Sequence, residues 1–137
     1  MGPIRILLVD DEKDIVEMLA DILSNHGFEA DRAHSAEEAL ERIRETIYDA
    51  AILDFNLPDM DGVMLHRQIR QMDTELAGNT LFMSGMVQSD QNLGYYATQS
   101  AGFLSKPFRV DQVLEALIGV LGRRYPQPPR REDDFRG

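Results

Sequence analysis

Apolar positions along this chain switch between two spacings. Residues 4–9, IRILLV, form an apolar run suited to a strand covered on both faces, and Ile15, Met18, Leu19, Ile22 and Leu23 then recur at helical spacing until His26-Gly27 stops them. The alternation repeats. FEADRA (28–33) predicts a weaker strand, and Ser35 with Glu38 reads as a capping box ahead of Ala36, Ala39, Leu40 and Ile43. AAILDF (50–55) predicts a third strand, Leu65, Ile69 and Met72 a short helix, and TLFMSG (80–85) a fourth strand. Residues 88–100 are polar, contain Gly94, and carry only Leu93, Tyr96 and Ala97 at helical spacing, which predicts a weakly apolar helix. GFLS (102–105) is a short fifth strand, and Val110, Val113, Leu114, Leu117 and Leu121 form the stripe of a final helix.

Five strands alternating with helices of about 10–15 residues argue for right-handed crossovers and a doubly wound α/β parallel sheet covered on both faces. Ligands in such folds sit beyond the carboxyl ends of the strands, where the strand order reverses. Those ends carry the chemistry here. The first strand ends in Asp10-Asp11, the third in Asp54, the fourth in Ser84, and the fifth in Lys106 followed by Pro107. Three carboxylates gathered in one cleft would raise one another's pKa unless a cation sat among them, and a hard divalent ion such as Mg2+ suits oxygen ligands.

Length and composition narrow the classes. With 137 residues, 43% of them hydrophobic, the chain makes about one domain, and the absence of cysteine excludes a disulfide framework and a thiolate zinc site. There is no run of about 18 apolar residues and no charged-then-apolar leader, so a cytoplasmic protein with no membrane partner is expected. Net charge is −10, and residues 123–137 hold five arginines against Glu132, Asp133 and Asp134, leaving 9 basic and 21 acidic groups in the rest. A body of net −12 repels phosphate backbones, so no nucleic acid partner is expected. The tail RRYPQPPRREDDFRG has three prolines, dense charge and no period, and reads as disordered.

Taken singly, each strand-end residue has an ordinary explanation. An acidic pair before a helix commonly serves the helix dipole and its cap, and a lone Ser or Lys at a strand end carries no message. Together they match the needs of phosphoryl transfer to a carboxylate: a nucleophilic Asp54, acids for a metal, a fixed cation in Lys106 and a hydroxyl in Ser84.

At successive strand ends LLVDDE (7–12), LDFNLPDMDG (53–62), MSG (83–85) and LSKPF (104–108) appear in order, and over residues 3–122 the chain resembles the receiver domain of two-component response regulators. The resemblance implies a single flavodoxin-like domain of strand order 2-1-3-4-5 followed by a tail at 123–137. It implies phosphorylation of Asp54 by a sensor histidine kinase or a histidine phosphotransfer protein. It also implies Mg2+ held by Asp11, Asp54 and the backbone carbonyl of Asn56, with Asp10 acting through water. Ser84 then resembles the family's switch hydroxyl, Phe103 its switch aromatic, and Lys106 its phosphate-binding cation, while Gly62 would open the third helix. The product would be a switch, not a turnover enzyme, whose face over residues 88–121 meets a downstream target or a second copy.

Some positions depart from the family's pattern. Gln99 and Ser100 replace a frequent Gly-Ala, Phe103 lacks the hydroxyl of a tyrosine and serves equally as a core aromatic, and Met86 is apolar where it could border the cleft. His26, His34 and His66 show no metal-ligand spacing, so a phosphohistidine donor must come from another molecule. A module cut from a larger regulator or hybrid kinase would read the same way. A haloacid dehalogenase-like phosphatase is the remoter alternative, disfavoured because its nucleophile leads and its acidic pair comes last. A flavodoxin-type cofactor binder lacks its phosphate loop, because VDDEKD repels phosphate.

Overall fold

The computed structural model describes residues 3–85 and 102–122. Five parallel strands, β1 (Arg5–Val9), β2 (Glu29–Ala33), β3 (Ala50–Asp54), β4 (Thr80–Ser84) and β5 (Gly102–Ser105), pair in the order β2-β1-β3-β4-β5. Between them run α1 (Lys13–Asn25), α2 (Ala36–Glu45), α3 (Gly62–Met72) and α4 (Thr74–Gly78), and α5 (Val110–Leu121) follows β5. The doubly wound expectation holds. The helix expected over 88–100 and the tail at 123–137 lie outside the described residues, as do Met86, Gln99 and Ser100.

The unbroken apolar runs reflect burial on both sides of the sheet. Ile6 and Leu8 of β1 join Ile52 of β3, Val16, Leu19 and Leu23 of α1, and Val113 and Leu117 of α5 in one cluster. Leu7 and Val9 point the other way, to Leu53 and to Ala39 and Leu40 of α2, Leu65 and Ile69 of α3, and Leu76 of α4. At roughly 1.5–3 kcal/mol for each fully buried large aliphatic side chain, these two layers carry most of the stabilisation.

Helix ends show where local sequence acts. Gly27 adopts φ 89, a left-handed conformation that glycine reaches without a Cβ penalty, and Phe28 N then donates back to Leu23 O at 3.0 Å to close α1. The capping box expected at α2 is only half formed. Ser35 Oγ accepts Glu38 N at 3.1 Å, but the Glu38 carboxylate accepts His34 N at 3.1 Å, one residue short of the reciprocal partner. The place of a second cap is taken by Asp59, whose two carboxylate oxygens accept Ala36 N and Glu37 N at 2.9 and 3.0 Å. α4 was not foreseen: Asp73 N donates to Ile69 O at the end of α3, and its own carboxylate accepts Leu76 N at 3.0 Å, so one residue closes one helix and opens the next.

Candidate functional site

Strand order brings the chemistry together. β1 sits between β2 and β3, so the chain reverses its winding there, and the register Val9↔Leu53 sets Asp10, one step past β1, beside Asp54, the last residue of β3. β4 and β5 extend the row, with Ser84 paired to Ser105 and Lys106 N donating to Ser84 O at 2.8 Å. The Lys106 side chain then reaches back across β4. Its Nζ lies 2.7 Å from Asp10 Oδ2, 3.2 Å from Asp54 Oδ2 and 3.3 Å from Glu12 Oε1. The Lys106-Pro107 peptide is cis.

Burial gives this arrangement its energetics. Asp10 is fully buried, Asp54 is 4% exposed and Ser84 2%. Removing carboxylates from water is costly, and an ion-paired lysine is the compensation the fold supplies. Burial pushes the Asp10 pKa up, against the lowering effect of the Lys106 bond and the Glu12 backbone N–H. For Lys106, burial acts to lower the pKa, but the Asp10 bond and charge outweigh it and hold the ammonium above the ordinary lysine value. The lysine therefore stays charged at neutral pH.

The sequence-predicted residues separate into groups. Lys106 contacts both Asp10 and Asp54, and Ser84 is buried on the adjoining strand end. Asp11 is exposed, and Asn56, also exposed, donates its backbone N–H to Asp54 Oδ1 at 3.1 Å. Phe103 pairs in register with Phe82 and is 37% exposed, so the reading of it as a core aromatic is corrected: β5 ends the described sheet, and this side chain lies at the surface. The acidic pair does not cap α1, because Glu12 is the N-cap residue and Asp10 Oδ1 accepts the Glu12 backbone N–H at 2.9 Å. Gly62 opens α3 as expected; a Cβ there would meet Phe55 Cα at 2.9 Å.

One participant escaped the sequence reading. Carboxylate oxygens of Asp10, Glu12 and Asp54 lie within 4.8 Å of one another, so the third acid of the converging group is Glu12 and not Asp11. The signal was present in VDDE, but strand-end logic stops at the second acid. A set of hard oxygen donors with an exposed rim fits a divalent cation such as Mg2+. His34 approaches the rim through Nδ1, 3.2 Å from Asp10 O, and His26 caps the end of α1 with Nδ1 2.8 Å from Ile22 O. His66 is fully buried, its Nε2 2.8 Å from Ala77 O.

Fold and cleft define a class: a doubly wound α/β domain that gathers acids and one lysine at the switch point of its sheet. Within that class the chain belongs to the response regulator receiver domain family, whose model matches residues 6–118. It is 33% identical to the chemotaxis protein CheY of Bacillus subtilis over 85% of this chain and 97% of that protein. It is 30% identical to the transcriptional regulatory protein TrcR of Mycobacterium tuberculosis over 89% of this chain but 47% of that protein. The chain thus spans about half the length of such regulators and nearly all of CheY. Among solved structures, a CheY-like receiver domain from Methanospirillum hungatei superposes with a TM-score of 0.82 at 24% identity, over 90% of this chain and 97% of that one, which supports the fold. The response regulator TrrA of Thermotoga maritima, solved in complex with Mg(2+)-BeF, superposes with a TM-score of 0.76 at 30% identity, over 86% and 99% of the two chains. The phosphatase alternative is set aside, since family and neighbours alike are receiver domains.

Proposed function

We propose that Asp54 is the phosphoacceptor of this receiver and that Mg2+ is its cofactor. The convergence of Asp10, Asp54 and Lys106 from three strands onto one point carries this reading. An Asp54 carboxylate oxygen attacks the phosphorus of a phosphohistidine on a sensor kinase or phosphotransfer protein; the O–P bond forms, the P–N bond breaks, and the imidazole nitrogen leaves with the electron pair. When bound, the metal supplies positive charge that offsets the oxygens of the transferred group. Asp11, Asp54 and the Asn56 carbonyl are its direct holders on the family pattern, with Asp10 acting through water, and Glu12 belongs to the acids around them. Lys106 gives the phosphoryl oxygens a fixed cation, and the Ser84 hydroxyl donates to one of them.

Asp54 is 4% exposed, so the reaction needs a donor brought close against the strand end. The receiver domain occupies residues 3–122, works in the cytoplasm, and promotes only its own phosphorylation and dephosphorylation. Its output face includes the open groove of about 420 Å³ between β5 and α5, lined by Phe103, Leu104, Phe108, Gln112 and Glu115 among others, where a downstream protein or a second copy docks. Intact-mass spectrometry after exposure to acetyl phosphate tests the core of this reading. One phosphoryl group is expected with Mg2+, and none in chelator or in Asp54→Asn; equal labelling of that variant would overturn it.

A further inference from the structure

Glu12 is used unusually for a residue at a helix start. It occupies the N-cap of α1, where a side-chain oxygen ordinarily accepts an amide N–H of the first turn, yet its carboxylate makes no such bond. The cleft holds it instead. Its backbone N–H is taken by Asp10 Oδ1 at 2.9 Å, and its side chain turns to Lys106, 3.3 Å from Nζ. A lysine ammonium has three N–H donors and no acceptor. Asp10, Asp54 and Glu12 give it three carboxylates, but on unequal terms: their side chains are 0%, 6% and 61% exposed.

That inequality has a chemical consequence. The ammonium and a divalent cation compete for the same two buried carboxylates, and two cations on one pair repel. If Lys106 had no other acceptor, admitting the metal would cost it charge-assisted hydrogen bonds. Glu12 is the acceptor that can move, being long, exposed and spent on no helix bond. We propose that Glu12 is a positioning residue acting through Lys106: it takes over the ammonium when Asp10 and Asp54 turn to the metal, and so sets the metal affinity of the cleft. This rests on the Mg2+ reading above and adds to it a role for a residue outside the acidic pair.

A double-mutant cycle read by calorimetric Mg2+ titration, without any phosphodonor, tests it. At about 0.3 M salt, which damps the influence of more distant charges, Glu12→Gln should weaken Mg2+ by about two- to fivefold, the range of an exposed ion pair. In a Lys106→Met background the same substitution should change the affinity by less than about twofold. An unchanged affinity in Glu12→Gln overturns the proposal, and so does an equal loss in both backgrounds, which would place Glu12 on the ion itself. Wild-type protein that binds no Mg2+ would bring down the metal reading and this inference together. Should Lys106→Met fail to fold, nitrogen NMR of the Lys106 ammonium in Mg2+-saturated Glu12→Gln decides the point: a signal unchanged from wild type refutes the takeover, and a shifted or mobile one supports it.

Discussion

Lys106 makes its shortest ion pair with Asp10, at 2.7 Å, and not with Asp54, at 3.2 Å. Asp54 is thus the more loosely held of the two buried acids, and Asp10 is the one that depends on the lysine. Burial already pushes the Asp10 pKa up while Lys106 opposes that. Removing the lysine should let it rise further.

Lys106→Met is therefore expected to lower stability in metal-free buffer by roughly 1–3 kcal/mol at neutral pH, the cost of an unsatisfied buried polar group. A carboxyl whose folded pKa is raised contributes stability below its unfolded value, 3.8 for Asp10, and loses it as pH rises through the folded value. The deficit of the variant should hence be small near pH 4 and grow toward pH 7. Urea unfolding at both pH values, with and without Mg2+, measures it, and a deficit independent of pH would mean that Asp10 is not the group left exposed to the loss.

Much of this site was legible because parallel strands deliver their last residues to one edge. Asp10, Asp54, Ser84 and Lys106 are each the last residue of an apolar run or one step past it, so alternation and strand order suffice to find them. What stayed hidden depends on reach or on partners distant in sequence. Glu12 enters the cleft from a helix start, and Asp59 caps a helix whose first amides lie 22 and 23 residues earlier. α4 is five residues long, too short to show a period. Phe103 looked as suited to a core as to a switch, because nothing in GFLS marks the edge of a sheet.

His66 gives a pH signature away from the cleft. It lies fully buried beside Phe82, ring centroids 5.2 Å apart, and its Nε2 donates to Ala77 O, tying α3 to α4. Burial lowers its pKa from 6.5, so the folded state holds the neutral ring. Protons then bind the unfolded chain preferentially, and stability present above about pH 6.5 is lost as pH falls through the depressed folded value. The urea midpoint of wild type should drop between about pH 7.5 and 5.5, while His66→Gln, which keeps a donor for Ala77 O, should show a flatter profile. Equal slopes would exclude His66 as the titrating group.

Gly62 is required by contact, not by conformation. A Cβ at this position would lie 2.9 Å from Phe55 Cα and 3.2 Å from Phe55 O, backbone atoms one residue beyond Asp54. Gly62→Ala should cost about 1–3 kcal/mol through overpacking. Because it pushes on the loop carrying Asn56, it should also weaken Mg2+. Thermal unfolding and metal titration read the two effects, and a loss of stability with unchanged metal affinity would confine the strain to α3.

Asp59 joins the loop after β3 to α2 through Ala36 N and Glu37 N, and these bonds lower its pKa from 3.8. With the folded value depressed, its contribution is present above pH 3.8 and lost as pH falls through the folded value. Asp59→Ala should cost about 1 kcal/mol, the ordinary loss of a helix cap. It should do so at pH 7 and far less near pH 3, and hydrogen exchange should show the first turn of α2 opening more often. Unaltered exchange at residues 36–38 would show that Ser35 caps this helix unaided.

The last prediction concerns how a phosphoryl group on Asp54, as proposed above, would reach the proposed output face. Parallel pairing places Ser84 opposite Ser105 and Phe82 opposite Phe103, so Ser84 and Phe103 project from the same face of the sheet on neighbouring strands. Ser84 is buried and Phe103 is more than a third exposed. A phosphoryl group offers new acceptor oxygens to the Ser84 hydroxyl, and drawing that hydroxyl inward opens space beside β4 that the Phe103 ring can fill. No tyrosine hydroxyl rewards the inward position, so burial of the ring is the driving force, about 25 cal/mol for each Å² removed from water. The bias is then modest, about 1–3 kcal/mol, and acts as a population shift. Beryllium fluoride with Mg2+, standing in for the phosphoryl group, should raise hydrogen-exchange protection at residues 102–105, and Ser84→Ala should abolish that gain without removing the protection gained at residues 10–12 and 54–62. Protection confined to those two loops in the wild type would leave Ser84 as a phosphate contact and Phe103 as a surface aromatic with no part in switching.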